Sequence, residues 1–372
     1  MIQLTSTVTR TPRVMQLEGM FDLQPSKTET VNVPELPVDR LDERDWNIGL
    51  VVGPSGSGKS TVAREAFGEP RELTWPIDRA VIDGFPDDAP MADVTEILSS
   101  VGFSSPPAWR RPFHVLSMGE QFRVTRARLL VEADGLVVVD EFTSVVDRQV
   151  AQIGSAAIAR TVRRRGQRFV AVTCHYDVED WLQPDWLYQP HTGEFTWRSV
   201  QPRPRVDVEV IRATSAAWPT FAPHHYLDAA LNRSAVILVG LVDDQPAVLC
   251  AMLGFPHRSY KRARRVHRIV VMPDYQGVGL GMSMLAHVGG AYRSLDTELL
   301  ITSSHPAIVR SLNRSPEWAM TSGRPRRTPK DVGALASMSS SRASNRLVSS
   351  FRYAGPARPE LSDLLIGLGP KP

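Results

Sequence analysis

Cysteine is nearly absent from this chain. Only Cys174 and Cys250 occur, far apart and without metal-ligand spacing around either, which excludes a disulfide framework and a cysteine-based zinc site. Lysine is scarce too: the five are Lys27, Lys59, Lys261, Lys330 and Lys371, so nearly all positive charge is arginine. The arginine fork suits phosphate, but a GC-rich genome gives the same bias, so placement matters more than number. No run of about 18 apolar residues exists to cross a bilayer. The opening "MIQLTSTVTRTPRVMQLEG" has no apolar core of the signal-peptide type. The expectation is a cytoplasmic protein that does not enter the membrane.

The chain does have length enough for two cores, at 372 residues, and the 42% hydrophobic and 22% charged fractions of a soluble globular protein. It also has two glycine-rich loops of different kinds. "GPSGSGKST" at 53–61 follows the apolar run Ile48 to Val52 and precedes a helical pattern. That strand, loop and helix order is what a P-loop needs: Gly53, Ser55, Gly56 and Gly58 let backbone N–H groups close around phosphates, with Thr61 entering the helix. Lys59 would reach the β and γ phosphates of ATP, and the Ser60 hydroxyl would ligate Mg2+.

A second apolar strand, Leu136 to Val139, ends in Asp140 and Glu141. An aspartate there can hold the hydration shell of Mg2+, and the adjacent glutamate can polarise an attacking water. Between the two lies "HVLSMGEQF", in which Ser117, Gly119, Glu120 and Gln121 resemble the LSGGQ-type signature of ABC ATPases, with Met118 in place of a glycine. "SVVD" at Ser144 to Asp147 looks like the D-loop of that family, and His175, ending the apolar run Phe169 to Thr173, looks like its switch histidine. The resemblance covers 1–202 and implies that Ser117, Gly119, Glu120 and Asp147 contact nucleotide. It also implies two chains pairing head to tail, with ATP held between the P-loop of one and the signature of the other. Two further family positions have only candidates: Asp83 in "RAVIDGF" stands where a strand-ending glutamine belongs, and Phe21 is the candidate adenine-stacking aromatic.

At 202–204 the chain changes character through a proline-punctuated linker. "VDVEVIRA" then alternates as a strand, "FAPHHYLDAALNRS" reads as helical, and two apolar runs around Asp243 to Pro246 read as a hairpin. "RIVVMPDYQGVGLG" follows, and resembles the acetyl-CoA motif of GNAT acyltransferases through Gln276, Gly279 and Gly281. The loop has no lysine, unlike a P-loop, and no βαβ unit with an acidic ribose ligand follows. The resemblance implies that the N–H groups from Gly277 through Val278, Gly279 and Leu280 to Gly281 hold the CoA pyrophosphate, with Val271 on the strand beside the pantetheine arm. The expected fold class is thus α/β, a P-loop ABC-type ATPase domain over 1–202 followed by a GNAT-fold acyltransferase domain over 203–357, with a tail over 358–372.

The family often uses a tyrosine general acid in or after the helix following the next strand, and none lies between Tyr292 and Tyr353. The remaining candidates for acyl-transfer chemistry are Ser303, Ser304, His305, Asn313 and His267, with His224, His225 and Tyr226 upstream. Arg258, Lys261, Arg262, Arg264 and Arg265 form an acid-free block, and a Ser/Arg-rich loop over 321–346 adds more positive charge. A nucleic-acid backbone is the expected partner of such a block; a solvated arginine face is the alternative. The whole chain looks like the prokaryotic and phage family joining an ABC-type ATPase to a GNAT domain, with a looser likeness to DNA-modifying acyltransferases of the Mom type. The expected function is ATP-dependent acylation of an amine on nucleic acid. The alternatives are a protein or small-molecule amine as acceptor, or an ATP-switched scaffold with an inactive GNAT fold.

Overall fold

The computed structural model describes residues 1–21, 28–133, 135–198, 206–225, 230–256, 259–325 and 347–366. In chain order, β1 (Ile2–Thr7), α1 (Pro12–Phe21) and β2 (Thr28–Val33) precede β3 (Ile48–Val52) and α2 (Lys59–Phe67). Three helices follow, α3 (Met91–Ser100), α4 (Pro106–Trp109) and α5 (Met118–Glu132). Then come β4 (Leu136–Val139), α6 (Arg148–Arg165), β5 (Arg168–Thr173), α7 (Val178–Leu182), β6 (Trp186–Gln189) and β7 (Glu194–Trp197). The second half comprises β8 (Glu209–Ala213), α8 (Trp218–Phe221), β9 (Val236–Val242), β10 (Gln245–Gly254), β11 (Ala263–Val271) and α9 (Leu280–Ser294). It closes with β12 (Glu298–Ser303), α10 (Pro306–Arg314), β13 (Trp318–Pro325), β14 (Leu347–Tyr353) and α11 (Ser362–Ile366).

These elements form two compact units. The first takes Met1–Leu73, Ala133–Val145 and Val162–Arg203; the second takes Thr74–Glu132, Val146–Thr161 and Pro204–Pro372. The chain thus passes between units at 203/204, beside the prolines that mark the linker in the sequence. The helices α3 to α5 and most of α6, which the sequence reading placed in the 1–202 domain, cluster with the C-terminal half.

In the first unit a five-stranded sheet has the order β4-β5-β3-β6-β7, parallel except for the β6–β7 hairpin. β3 is buried at every position, as a central parallel strand covered on both faces must be. Gly49 is required there, because a Cβ would lie 2.0 Å from the Trp186 ring. A second, two-stranded sheet pairs β1 with β2 antiparallel.

In the second unit a seven-stranded sheet has the order β13-β14-β12-β11-β10-β9-β8. Its parallel pair is β11 with β12, and that ladder covers only Ala263–Arg265 against Glu298–Leu300. Beyond it the two strands run on, to Val271 and Ser303, without pairing to each other, each still paired on its other edge with β10 or β14. Partway along β11 the register against β10 slips, from Ala251↔Arg268 to Met252↔Val266, so His267 is the extra residue of a β-bulge. Leu280, Met284, Leu285 and Val288 of α9 pack on one face of this sheet, and Ile153 of α6 joins the same cluster. Trp218 and Phe221 of α8 cover the other face.

Two expectations are corrected here. Among its described residues, the stretch read as helical from Phe221 holds only the end of α8 and a 3-10 turn, Ala222–His224; Pro223 has no N–H to continue the helix. The stretch read as a tail from 358 packs down over its described residues, 358–366: Leu365 is buried, the Ser362 hydroxyl lies 2.7 Å from that of Ser294, and Arg212 donates to the carbonyls of Leu364 and Leu365.

Candidate functional site

The P-loop comes from β3 and α2. Gly56 (φ 77°) and Gly58 (φ 83°) both take left-handed backbone, which only glycine adopts without strain, and Gly58 is the N-cap of α2. The loop thereby turns back over the first helical turn, whose N–H groups have no intrahelical acceptor. The Lys59 ammonium donates to the Pro54 carbonyl at 2.7 Å, so it lies over the loop it is meant to serve. Ser55 and Gly56 are exposed, and Ser60 and Thr61 half-buried in the first turn.

β5 separates β4 from β3, and the pairings Val139↔Ala171 and Val52↔Thr173 bring three strand ends to one edge. Gly53, Asp140 and His175 therefore leave the sheet on the same side. The Asp140 carboxylate accepts from the Glu141 N–H at 2.8 Å, and the Glu141 carboxylate accepts from the Ser144 hydroxyl at 2.5 Å. Glu141 (φ 50°) and Thr143 (φ 70°) are both left-handed, a strained turn of the kind found at functional sites. The His175 N–H donates to the Thr173 hydroxyl.

Among the described residues no cluster of three or more His, Cys, Asp or Glu could hold a metal ion. Ser60 and Asp140 offer a hydroxyl and a carboxylate, the hard oxygen donors that suit Mg2+ shared with phosphate and water. Asp83 sits in a 3-10 turn, Val81–Gly84, and not at a strand end. Phe21 is 64% exposed at the last position of α1.

In the second unit the signature residues start α5. The Ser117 N–H donates to the Glu120 carboxylate at 2.9 Å and the Glu120 N–H to the Ser117 hydroxyl at 3.3 Å. This is a capping box, worth about 1 kcal/mol to the helix. Gly119 is buried, and a Cβ there would lie 3.2 Å from Val150. Asp147 opens α6, accepting from the Val150 N–H at 2.9 Å.

The second glycine-rich loop repeats the backbone of the first. Gly277 (φ 89°) and Gly279 (φ 91°) are left-handed, and Gly279 is the N-cap of α9 as Gly58 is of α2. Gly281 is half-buried, with space for a Cβ closed at 3.0 Å by Val271. Gln276, expected to serve the cofactor, is engaged within the protein: its carbonyl oxygen accepts from the Ser104 N–H at 2.8 Å and its amide donates to the Val271 carbonyl at 2.9 Å. The Gly277 and Val278 carbonyls accept from the Arg160 guanidinium, at 3.0 and 2.8 Å.

The acyl-transfer candidates separate. His305 is buried, its Nε2 lies 3.1 Å from the Ser104 carbonyl, and its N–H donates to the Ser303 hydroxyl. Burial lowers its pKa, so it is a neutral N-cap of α10. Ser304 is half-buried beside it. His267 sits at the bulge, its Nε2 accepting from the Asn232 N–H at 3.3 Å. Burial, then Arg268, Arg265 and His225, push its pKa down to about 4. Tyr353 does not replace the missing tyrosine, since it is buried and donates to the Pro356 carbonyl. Tyr226 and Arg258, and most of the Ser/Arg-rich loop, lie outside the described residues.

The basic block does not form one stripe. Lys261 and Arg262 are exposed, but β11 alternates after them. Val266 packs with α9, while Val270 packs with α8. Arg264 precedes Val266 by two and shares its face, whereas Arg265 points to the opposite one, its guanidinium over the Phe255 ring at 5.1 Å.

Because the unfolded His267 imidazole binds its proton near pH 6.5 and the folded one only near 4, protonation favours the unfolded chain. The stabilisation is complete above about pH 6.5 and is lost as pH falls through about 4. Denaturation from neutral pH down to about 4 should show wild type losing on the order of 2 kcal/mol more than His267→Gln, after discounting for partial exposure. Equal slopes would mean that His267 is already solvated.

No family model matches the chain. A curated relative, the tylosin resistance ATP-binding protein TlrC of Streptomyces fradiae, is 30% identical over 115 residues, 26% of this chain and 21% of that protein. The chain therefore spans about a fifth of that relative's length. Among solved structures, cbiO1 of Clostridium perfringens, part of the ABC transporter complex cbiONQ, is 18% identical over 41% of this chain and 77% of that one, with a TM-score of 0.33. MJ0796, a dimeric bacterial ABC transporter cassette, is 14% identical over 46% of this chain and 90% of that one, with a TM-score of 0.34. No helix among the described residues is long and apolar enough to cross a membrane.

Proposed function

We propose that this chain is an ABC-type ATPase that works as a head-to-tail pair, and that its C-terminal α/β module is an acyl-CoA-dependent N-acyltransferase of GNAT type. The observation that carries the first part is the convergence of Gly53, Asp140 and His175 at adjacent strand ends, with Glu141 beside Asp140. Lys59 leaves the Pro54 carbonyl to reach the β and γ phosphates, while first-turn N–H groups of α2 hold them. Bound at Ser60 and Asp140, Mg2+ supplies charge neutralisation at the phosphate oxygens. Glu141 accepts the proton of the attacking water, and Ser144 fixes its carboxylate. Signature residues Ser117, Gly119 and Glu120 close the site from a second copy. Phosphate release from ATP tests this: removal of Mg2+ by EDTA should abolish it, and EDTA-insensitive release would contradict the assignment.

Support for an acyl-CoA site comes from the short β11–β12 ladder, whose two strands then run on without pairing to each other, and from the loop between β11 and α9. The acceptor in this reading is an amine. Lys261 and Arg262 are the exposed basic residues that favour a polyanionic carrier of it, nucleic acid. A binding-only C-terminal module is the second reading, favoured because Tyr353 and His305 are both committed to backbone carbonyls. Thiol release from acetyl-CoA, measured with duplex DNA, single strands, tRNA and polyamines, separates them. Release with one acceptor supports transfer; CoA binding without release supports the second reading.

A further inference from the structure

The stretch from Asp274 to Val278 makes, within the second unit, a run of contacts that no phosphate cradle requires. Arg123 of α5 is 1% exposed and donates from Nη2 to the Asp274 carbonyl at 3.0 Å, with Nη1 3.7 Å from the Asp274 carboxylate. Burial lowers the pKa of this guanidinium, opposed first by Asp274. A buried charge is kept only where such partners answer it. The Gln149 amide, in the first turn of α6, donates to the Tyr275 hydroxyl at 2.5 Å. Gln276 accepts from the Ser104 N–H, and Arg160 of α6 donates to the next two carbonyls.

The backbones also meet. A Cβ on Gly102 would lie 2.5 Å from the Gln276 carbonyl oxygen, and one on Gly277 would lie 2.8 Å from Ala157 and 2.9 Å from the Gly102 nitrogen. In a planar trans peptide the N–H of one residue points opposite the carbonyl before it. Holding the Gly277 and Val278 carbonyls on Arg160 therefore turns the N–H groups of Val278 and Gly279 away from α6. The carbonyl side of the loop is thus used in docking while its N–H side faces away from α6.

The two helices gripped in this way are those that begin with the signature and with Asp147. Asp274 itself lies next to the signature: a Cβ on Gly119 would be 3.7 Å from its carboxylate. We infer that residues Asp274, Tyr275 and Gln276 are positioning residues of the ATPase, a brace from the C-terminal module that sets the starts of α5 and α6 against each other. The signature is thereby presented to the nucleotide of a second copy in the correct geometry. This inference rests on the ATPase reading above.

The test uses the full chain carrying Glu141→Gln, with ATP and Mg2+, and follows dimer formation by light scattering. Adding Asp274→Asn together with Tyr275→Phe, which removes the ion pair to Arg123 and the hydroxyl bonded by Gln149 while keeping the Asp274 carbonyl, should raise the dimer dissociation constant about tenfold. Affinity for a fluorescent ATP analogue, measured below the dimer concentration, should not change, because the P-loop lies in the other unit; a merely structural lesion would lower both. Arg123→Lys, which keeps the charge but loses the fork, should fall between. If the double variant does not fold, Gln149→Leu alone carries the same comparison. An unchanged dimer constant overturns the brace. Absence of ATP-dependent dimer in the Glu141→Gln parent instead overturns the ATPase reading beneath it.

Discussion

Glu141→Gln lowers ATP turnover by about a hundredfold to a thousandfold, the usual cost of removing a positioned general base, while ATP affinity stays within about threefold of wild type. Glutamine keeps the length of the side chain and its bond from Ser144, and it does not change the left-handed backbone at 141. What it loses is the ability to take a proton. Asp140 is untouched, so the proposed Mg2+ ligand remains. The expected pattern is a fall in kcat with little change in KM, measured by phosphate release. A matching rise in KM would instead place Glu141 in nucleotide binding.

Gly102→Ala destabilises the second unit by about 3 to 5 kcal/mol, and more than any other glycine substitution in its loops. A left-handed alanine alone costs about 1 to 2 kcal/mol. Gly102 adds a collision: its φ is +89°, and the new Cβ would lie 2.5 Å from the Gln276 oxygen and 2.9 Å from the Gln276 carbonyl carbon. Both are backbone atoms of a residue whose side chain is held by the Ser104 N–H and whose next two carbonyls are held by Arg160, so neither can swing away as a side chain would. Gly166→Ala is the control, with a φ of +65° and open space around it; it should cost only the conformational part. Urea denaturation of the two variants checks this, and equal losses would show that the loop yields to Gly102.

Local chemistry was readable before any coordinates. The P-loop and the Asp140–Glu141 pair each depend on residues within a few positions, and both lie at the strand ends that their patterns imply. The grip on Asp274–Val278 was not readable, because its partners lie 151 residues away at Arg123 and 172 away at Ser104. Its trace in the sequence was an arginine at an inward position of α5, which charge counting treats as surface. The division of the basic block between two faces has a simpler reason: successive residues of a strand face opposite ways, so Arg264 and Arg265 do not share a face. Pro223 and the pair Leu364–Leu365 were likewise visible signals, for a short helix and for a packed C-terminal segment.

Specific ATPase activity measured against protein concentration tests the central claim most directly. A site completed by the signature of a second copy predicts that activity per chain rises with concentration until all chains pair, and that Glu141→Gln removes it. Activity per chain that is constant with dilution, or no hydrolysis at any concentration, would contradict a shared ATP site.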